Sequence, residues 1–211
     1  MVFRTITRKG RKVDLRRFLG NIIALASFAI AFVMIVHKVF ATPTLVNSHL
    51  DKSVVIFDNQ VEEQHFIQKR IMLYGHTEGS AIELSNKIVS TAKTTGVDPF
   101  LLSALIETES GFDQRKVSEA GARGFGQLTD VCVEELSRNG IHVDLSNADE
   151  NLLGSAQYLK MMLERFDEDE TLAIAAYNAG PTIVETVGIP DFDETRIHVQ
   201  RVLERKNSLS R

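Results

Sequence analysis

The chain has 211 residues, 44% hydrophobic and 25% charged, with a net charge of −4; this leaves room for one domain of ordinary size plus an appendage. Residues 1–18 carry seven basic side chains against Asp14 alone, a local +6, so the remainder stands at −10. An acidic body argues against a nucleic-acid partner, which requires a basic face, and one cysteine, Cys132, excludes a disulfide within the chain.

The basic residues 1–17 precede "FLGNIIALASFAIAFVMIV", residues 18–36, which contains no formal charge and is closed by His37-Lys38. Roughly 18–20 helical residues cross a hydrocarbon core about 30 Å thick. The pattern predicts a transmembrane anchor over 18–38, with 1–17 cytoplasmic and the rest outside. The alternative is a signal peptide cleaved after Ala41, with Val39 and Ala41 as acceptable small residues, although its apolar region exceeds the usual ~7–15 residues. In both cases the body is exported. Residues 39–76 read as a spacer, in which "SVVIF" (53–57) suggests a short strand and "VEEQHFIQKRIMLYG" a helix ended by Gly75.

A helical domain is expected over 77–207. "SAIELSNKIVSTAKTTG" sets Ile82, Ser85, Ile88, Val89 and Ala92 on one stripe and stops at Gly96. "VDPFLLSALIETES" follows, with Asp98 as N-cap and Pro99 at the first helical position. After the glycine-rich loop "EAGARGFGQ", "DVCVEELSRNG" predicts a short helix and "NADENLLGSAQYLKMMLERF" a longer one capped by Asn147. "DETLAIAAYNAG" and "DETRIHVQRVLERK" predict two more. The fold class is all-α, with six or more helices around a glycine-rich loop.

Two glutamates, Glu107 and Glu109, end the apolar helix. At ~100° per residue Glu109 lies ~200° round from Glu107, inside the stripe of Leu101, Leu102, Leu105 and Ile106. Glu107 is then expected to be solvated and Glu109 to point at the core. A carboxylate in apolar surroundings resists ionisation and keeps its proton, as a general acid must. A structural glutamate bonded to neighbouring backbone is the alternative reading of the same pattern.

The run "ETESGFDQRKVSEAGARGFGQL" resembles the catalytic-helix and loop signature of lytic transglycosylases of the soluble-lytic (SLT) type. The resemblance lies in Glu109-Ser110, Phe112, Ser118 and Gly121-Ala122-Arg123-Gly124-Phe125-Gly126-Gln127. "NLLGSAQYL" (151–159), "AIAAYNAGP" (173–181) and "GIPDFDETRIHV" (188–199) resemble the family's later blocks in order. The resemblance implies a lysozyme-like domain that cuts peptidoglycan between N-acetylmuramic acid and N-acetylglucosamine. One glutamate protonates the bridging oxygen, then acts as base toward the sugar's own 6-hydroxyl, which closes a 1,6-anhydro ring. By this resemblance Glu109 is the acid and then the base, and Tyr177 the tyrosine that orients it or the reacting sugar. Ser118, Gln127, Asn178, Gly124 and Phe125 would line the sugar subsites, with Ser118 near the N-acetyl group; Asn178 reads equally as a loop-holding residue. Asp113 is the nearest second carboxylate, but lies beyond the expected helix end. The departures are Gly126 where the pattern has methionine, Gln114 and Asp130 in place of prolines, and His198 in place of tyrosine. The Gly126 change removes a side chain that would pack on sugar or protein.

The histidines at 37, 49, 65, 76, 142 and 198 show no ligand spacing, so neither a metal nor another cofactor is expected. "DEDE" (167–170) lacks the calcium-loop order and reads as a helix start complementing the dipole. "RVLERK" (201–206) reads as a solvated helix face. The expectation is an enzyme of a Gram-negative-type envelope, anchored in the inner membrane and acting on peptidoglycan strands from the periplasm. A lysozyme-type hydrolase on the same scaffold and a non-catalytic peptidoglycan-binding module of an envelope machine are the rivals, the second motivated by Gly126.

Overall fold

The computed structural model describes residues 7–8, 11–12 and 48–209, with side-chain placement from residue 60 onward. The expected anchor over 18–38 lies outside the described residues; among those described, no helix is long and apolar enough to cross a membrane. In the segment 1–54, β1 (Thr7–Arg8) pairs antiparallel with β2 (Arg11–Lys12).

Among the described residues the regular elements of the body are all helices. Helix α1 spans Ser48–Met72 and takes in residues 53–57, expected as a strand. The β-branched run there sits inside a long stretch of helix formers, and helix propagation overrides a local preference worth only tenths of a kcal/mol. Ile67 and Ile71, one turn apart, are fully buried. The chain turns at Gly75 (φ 85°) and re-enters helix as α2 (Glu78–Thr95), capped by Thr77 and stopped by Gly96 at φ 75°. Its buried stripe is Ala81, Leu84, Ser85, Ile88, Val89 and Ala92, whereas Ile82 is exposed. The expected register is thus right except at Ile82, where Ala81 faces the core instead.

Helix α3 (Pro99–Glu109) is the central element. Asp98 Oδ1 accepts the N–H groups of Phe100 at 2.7 Å and Leu101 at 3.4 Å, and Pro99 sits at the first position, as expected. Every residue from Leu101 to Glu107 is buried. A helix apolar on nearly all sides is covered on all sides, and that reverses one expectation. Glu107 is not solvated: its side chain is 3% exposed. Its Oε1 accepts from the Tyr74 hydroxyl at 2.7 Å and lies 3.3 Å from Arg205 Nε, while Oε2 lies 3.4 Å from Arg70 Nε. Burial first, and then the bond to Glu107, hold the Tyr74 hydroxyl above its usual pKa.

Helices α4 (Asp130–Arg138), α5 (Ala148–Arg165) and α6 (Glu170–Ala179) follow, capped by Thr129, Asn147 and Asp169 respectively. Asp169, in the acidic run 167–170, accepts from the N–H groups of Thr171 and Leu172. Cys132 is half-buried, packs against the core and lies 3.3 Å from Thr129 Oγ1. The short α7 (Pro181–Val187) was not legible as a separate helix. Helix α8 (Asp193–Leu209) returns across α3, its most extensive partner, and also packs on α6. The run 201–206 is therefore no free solvated face: Val202 is buried, Arg205 reaches Glu107, and Lys206 pairs with Asp98 at 3.0 Å.

Glu107 and Glu109 separate in a stability measurement. Glu107→Ala strands Arg70 and Arg205 and is expected to cost about 3 kcal/mol in urea unfolding, whereas Glu109→Ala is expected to cost less than ~1 kcal/mol.

Candidate active site

Helix α3 ends at Glu109. Ser110 caps it, its hydroxyl donating to the Ile106 carbonyl at 3.1 Å, and Gly111 and Phe112 both take φ 64° to turn the chain away. Glu109 is thereby left on the last turn, its side chain 15% exposed. This is a more open setting than the apolar stripe suggested; the deeply buried carboxylate is Glu107. Glu109 Oε1 lies 2.8 Å from Nε2 of His198 on α8, and Oε2 has no hydrogen-bond partner among the described residues. The backbone carbonyl of Glu109 accepts from the Lys116 ammonium at the start of the glycine-rich loop. Asp113 turns elsewhere, accepting the Arg115 N–H at 2.9 Å.

The loop holds itself together. The Ser118 N–H donates to Ala122 O at 2.9 Å, and Ser118 Oγ accepts the Ala122 N–H at 3.0 Å. Arg123 and Leu128 exchange both backbone bonds, and Gly124 N donates to Lys116 O at 2.9 Å. Gln127, at φ 50°, donates its amide to Lys116 O at 3.1 Å and Gly124 O at 2.9 Å. Ser118 and Gln127 thus act first as loop formers. The Ser118 oxygen is an acceptor in its turn, which leaves its hydroxyl hydrogen to donate outward.

Helices α5 and α6 fix the loop from beneath. Asn151, 1% exposed, donates its amide to the Arg123 carbonyl at 2.9 Å. Tyr177 stacks edge-on against Tyr158 with ring centres 5.3 Å apart and donates its hydroxyl to the Gly126 carbonyl at 2.8 Å. Burial, and after it the negative charge of Glu109, push that hydroxyl well above the usual phenol range. It is a fixed donor near the acid, occupied with the loop backbone. A Cβ on Gly126 would lie 2.1 Å from Ser155 Oγ and 2.6 Å from the Tyr177 oxygen. The space that a larger side chain would need is filled from below, so the glycine is required here. Gly124 (φ +77°) is as constrained, since a Cβ there would meet the Asn151 amide at 2.4 Å. Phe125 between them is buried.

Asn178 Oδ1 accepts from the Thr195 hydroxyl at 2.9 Å, tying the end of α6 to the start of α8. The structure thus gathers Glu109, Tyr177, Gly124 and Gln127 around one loop, while Asn178 bonds to Thr195. A cavity of about 700 Å³ opens beside the Gly111–Arg115 turn, with Tyr74, Ser80, Lys87, Gln114, Phe125 and Asp149 in its walls. Neither Glu109 nor His198 lines it. The sequence reading missed three contributors: His198, Asn151 and Ser155. Each sat in a quoted block, yet their partners lie 28 to 89 positions away along the chain.

The family described as Transglycosylase SLT domain matches residues 86–194. The membrane-bound lytic murein transglycosylase F of Nitrosospira multiformis is 27% identical over 113 residues, 51% of this chain and 23% of that protein. The corresponding protein of Alkalilimnicola ehrlichii is 36% identical over 95 residues, 42% of this chain and 18% of its own. Among solved structures, an inactive Glu-to-Gln mutant of lytic transglycosylase Slt from Pseudomonas aeruginosa is similar with TM-score 0.54 and 32% identity, over 59% of this chain and 23% of that one. The 70 kDa soluble lytic transglycosylase of Escherichia coli shares the fold, with TM-score 0.55 at 19% identity over 72% of this chain and 28% of that one. The matched region spans about a fifth to a quarter of the length of these relatives.

Gly126→Ala should lower stability by about 2–3 kcal/mol, because its Cβ must displace Ser155 or Tyr177. Chemical denaturation checks this; a neutral result would mean that the loop has room the geometry denies.

Proposed function

The chain belongs to the transglycosylase SLT domain family, and on that premise we propose that it is a peptidoglycan lytic transglycosylase, a carbon–oxygen lyase acting on the MurNAc–GlcNAc β-1,4 bond. The observation that carries the proposal is Glu109: one carboxylate on the last turn of α3, with one oxygen engaged by His198 and the other unengaged, beside a loop braced by Tyr177. The matched relatives act on murein by name. An inactive mutant in which a glutamate becomes glutamine is on record for the Pseudomonas aeruginosa enzyme.

In this reading Glu109 gives its proton to the bridging oxygen as the C1–O4 bond breaks, and the departing GlcNAc keeps that proton on O4. The Glu109 carboxylate then removes the proton from the 6-hydroxyl of MurNAc as O6 bonds to C1. Glu109 ends as it began, and no water is consumed. One carboxylate suffices for both halves, so the pair at fixed separation that ordinary glycosidases use is not needed. Ser118, with its outward hydroxyl hydrogen, is a donor for the substrate's N-acetyl carbonyl, and Phe125, Gln127 and Gly124 set the loop surface on which the sugars lie. Asn178 supports α8 from behind. Tyr177 acts by holding Gly126 and keeping a neutral phenol near the acid.

Reaction with peptidoglycan fits an acidic body held outside the inner membrane by the apolar segment 18–38, with residues 1–17 in the cytoplasm. The names of the matched relatives, membrane-bound lytic murein transglycosylases, support that placement. The close fit of Gly126 against Ser155 and Tyr177 gives that glycine a packing reason, so it does not by itself favour a non-catalytic module.

Digestion of purified sacculi followed by mass spectrometry tests the proposal. The wild type should release 1,6-anhydro ends, and Glu109→Gln should slow release by about 10³-fold. Reducing ends from the wild type would instead mark a hydrolase of the lysozyme type.

A further inference from the structure

His198 reaches the proposed acid from the opposite end of the domain sequence, 89 positions away. Its side chain is only 10% exposed, and its other ring nitrogen, Nδ1, is buried with no hydrogen-bond partner. A neutral imidazole carries one ring hydrogen, and the two nitrogens offer unequal places for it. On Nδ1 the hydrogen would be a buried donor without an acceptor, the more rarely tolerated kind of orphan. On Nε2 it points at Glu109 Oε1, 2.8 Å away. The hydrogen therefore belongs on Nε2, and the contact is Nε2–H donated to Oε1.

We infer that His198 is a positioning residue for the reaction proposed above: by occupying Oε1 with a donor, it fixes the Glu109 carboxyl and directs the transferable proton to Oε2. A proton on Oε1 would face the Nε2 hydrogen, so the protonated acid carries it on the other oxygen. After the proton has gone to the glycosidic oxygen, the same Nε2–H bonds a full carboxylate, and a charge-assisted bond is the stronger kind. The contact thus strengthens as charge develops on Glu109, where stabilisation favours the step.

The inference rests on the lytic transglycosylase reading, but its evidence is separate. Other ionisable groups stand around the pair: Tyr177 from α6, Lys116 from the loop on the Glu109 carbonyl, and Glu107 with Arg70 and Arg205 on the buried side of α3. On α8 itself, Arg196 and Arg201 are the ionisable residues nearest in sequence, and Arg196 is paired with Asp191 and Asp193. Tyr177 is held protonated by burial and the arginines are permanently charged. Glu109 and His198 form the directly bonded pair.

The test uses the full chain, purified sacculi as substrate, and the variants His198→Phe, His198→Gln and Glu109→Gln. H198F, which fills the space without a donor, should lower kcat by about 10- to 100-fold with KM within about twofold. H198Q, which restores an N–H donor, should recover most of that loss, and the pH dependence of its kcat should change shape because the imidazole beside Glu109 is replaced by an amide. H198Q also covers the case in which H198F fails to fold. Wild-type kcat in H198F, a pH profile in H198Q that superimposes on the wild type, or H198Q as impaired as H198F would overturn the role of His198. If E109Q abolishes cleavage while the His198 variants behave as wild type, only this inference falls. Full activity in E109Q overturns both readings.

Discussion

The return of α8 across α3 is the constraint on which the rest of the domain depends. Arg205 and His198 lie seven positions apart, two turns along one face of α8. The first reaches buried Glu107 and the second reaches Glu109 at the open end of the same helix. One packing contact thus anchors the fold and brings His198 to the proposed acid. Glu107, enclosed by Tyr74, Arg70 and Arg205, fixes how α3, α8 and the end of α1 meet. A buried carboxylate with cationic partners is costly to assemble and more costly to break, which makes it a register device more than a source of net stability. With that register set, Glu109 and His198 face each other.

The glycine-rich loop obeys a second, steric constraint. It contains no helix of its own, so side chains of α5 and α6 hold its carbonyls one at a time, Arg123 by Asn151 and Gly126 by Tyr177. Close approach of helix side chains to loop backbone leaves no volume for a Cβ at Gly124 or Gly126. Rigid support of this kind suits a reaction in which a sugar must be held against a single carboxyl group, since small displacements there are expensive in rate.

Much of this was legible in the sequence because it is local. The Asp98–Pro99 start of α3, the Asn147 cap of α5 and the Gly96 stop of α2 each follow from a few adjacent residues. What failed was whatever depends on distant chain. Helical periodicity assigned Glu107 to solvent because it presumes one exposed face, and α3 has none. The run 53–57 was misread from β-branching alone. Gly126 looked like a lost side chain until Ser155 and Tyr177 were seen to fill its place. His198 was noticed as an unusual residue in a recognisable block, yet its partner lies on another helix, and no local pattern connects them.

The arrangement of one proton between α3 and α8 is the part of this account most open to direct observation. Nitrogen-15 NMR of the His198 imidazole, assigned with H198Q and recorded on wild type and E109Q, distinguishes the ring nitrogens at neutral pH. The account expects hydrogen on Nε2, a bare Nδ1, and resonances that move when Glu109 becomes glutamine. A ring protonated on Nδ1, or one indifferent to the residue at 109, would contradict it.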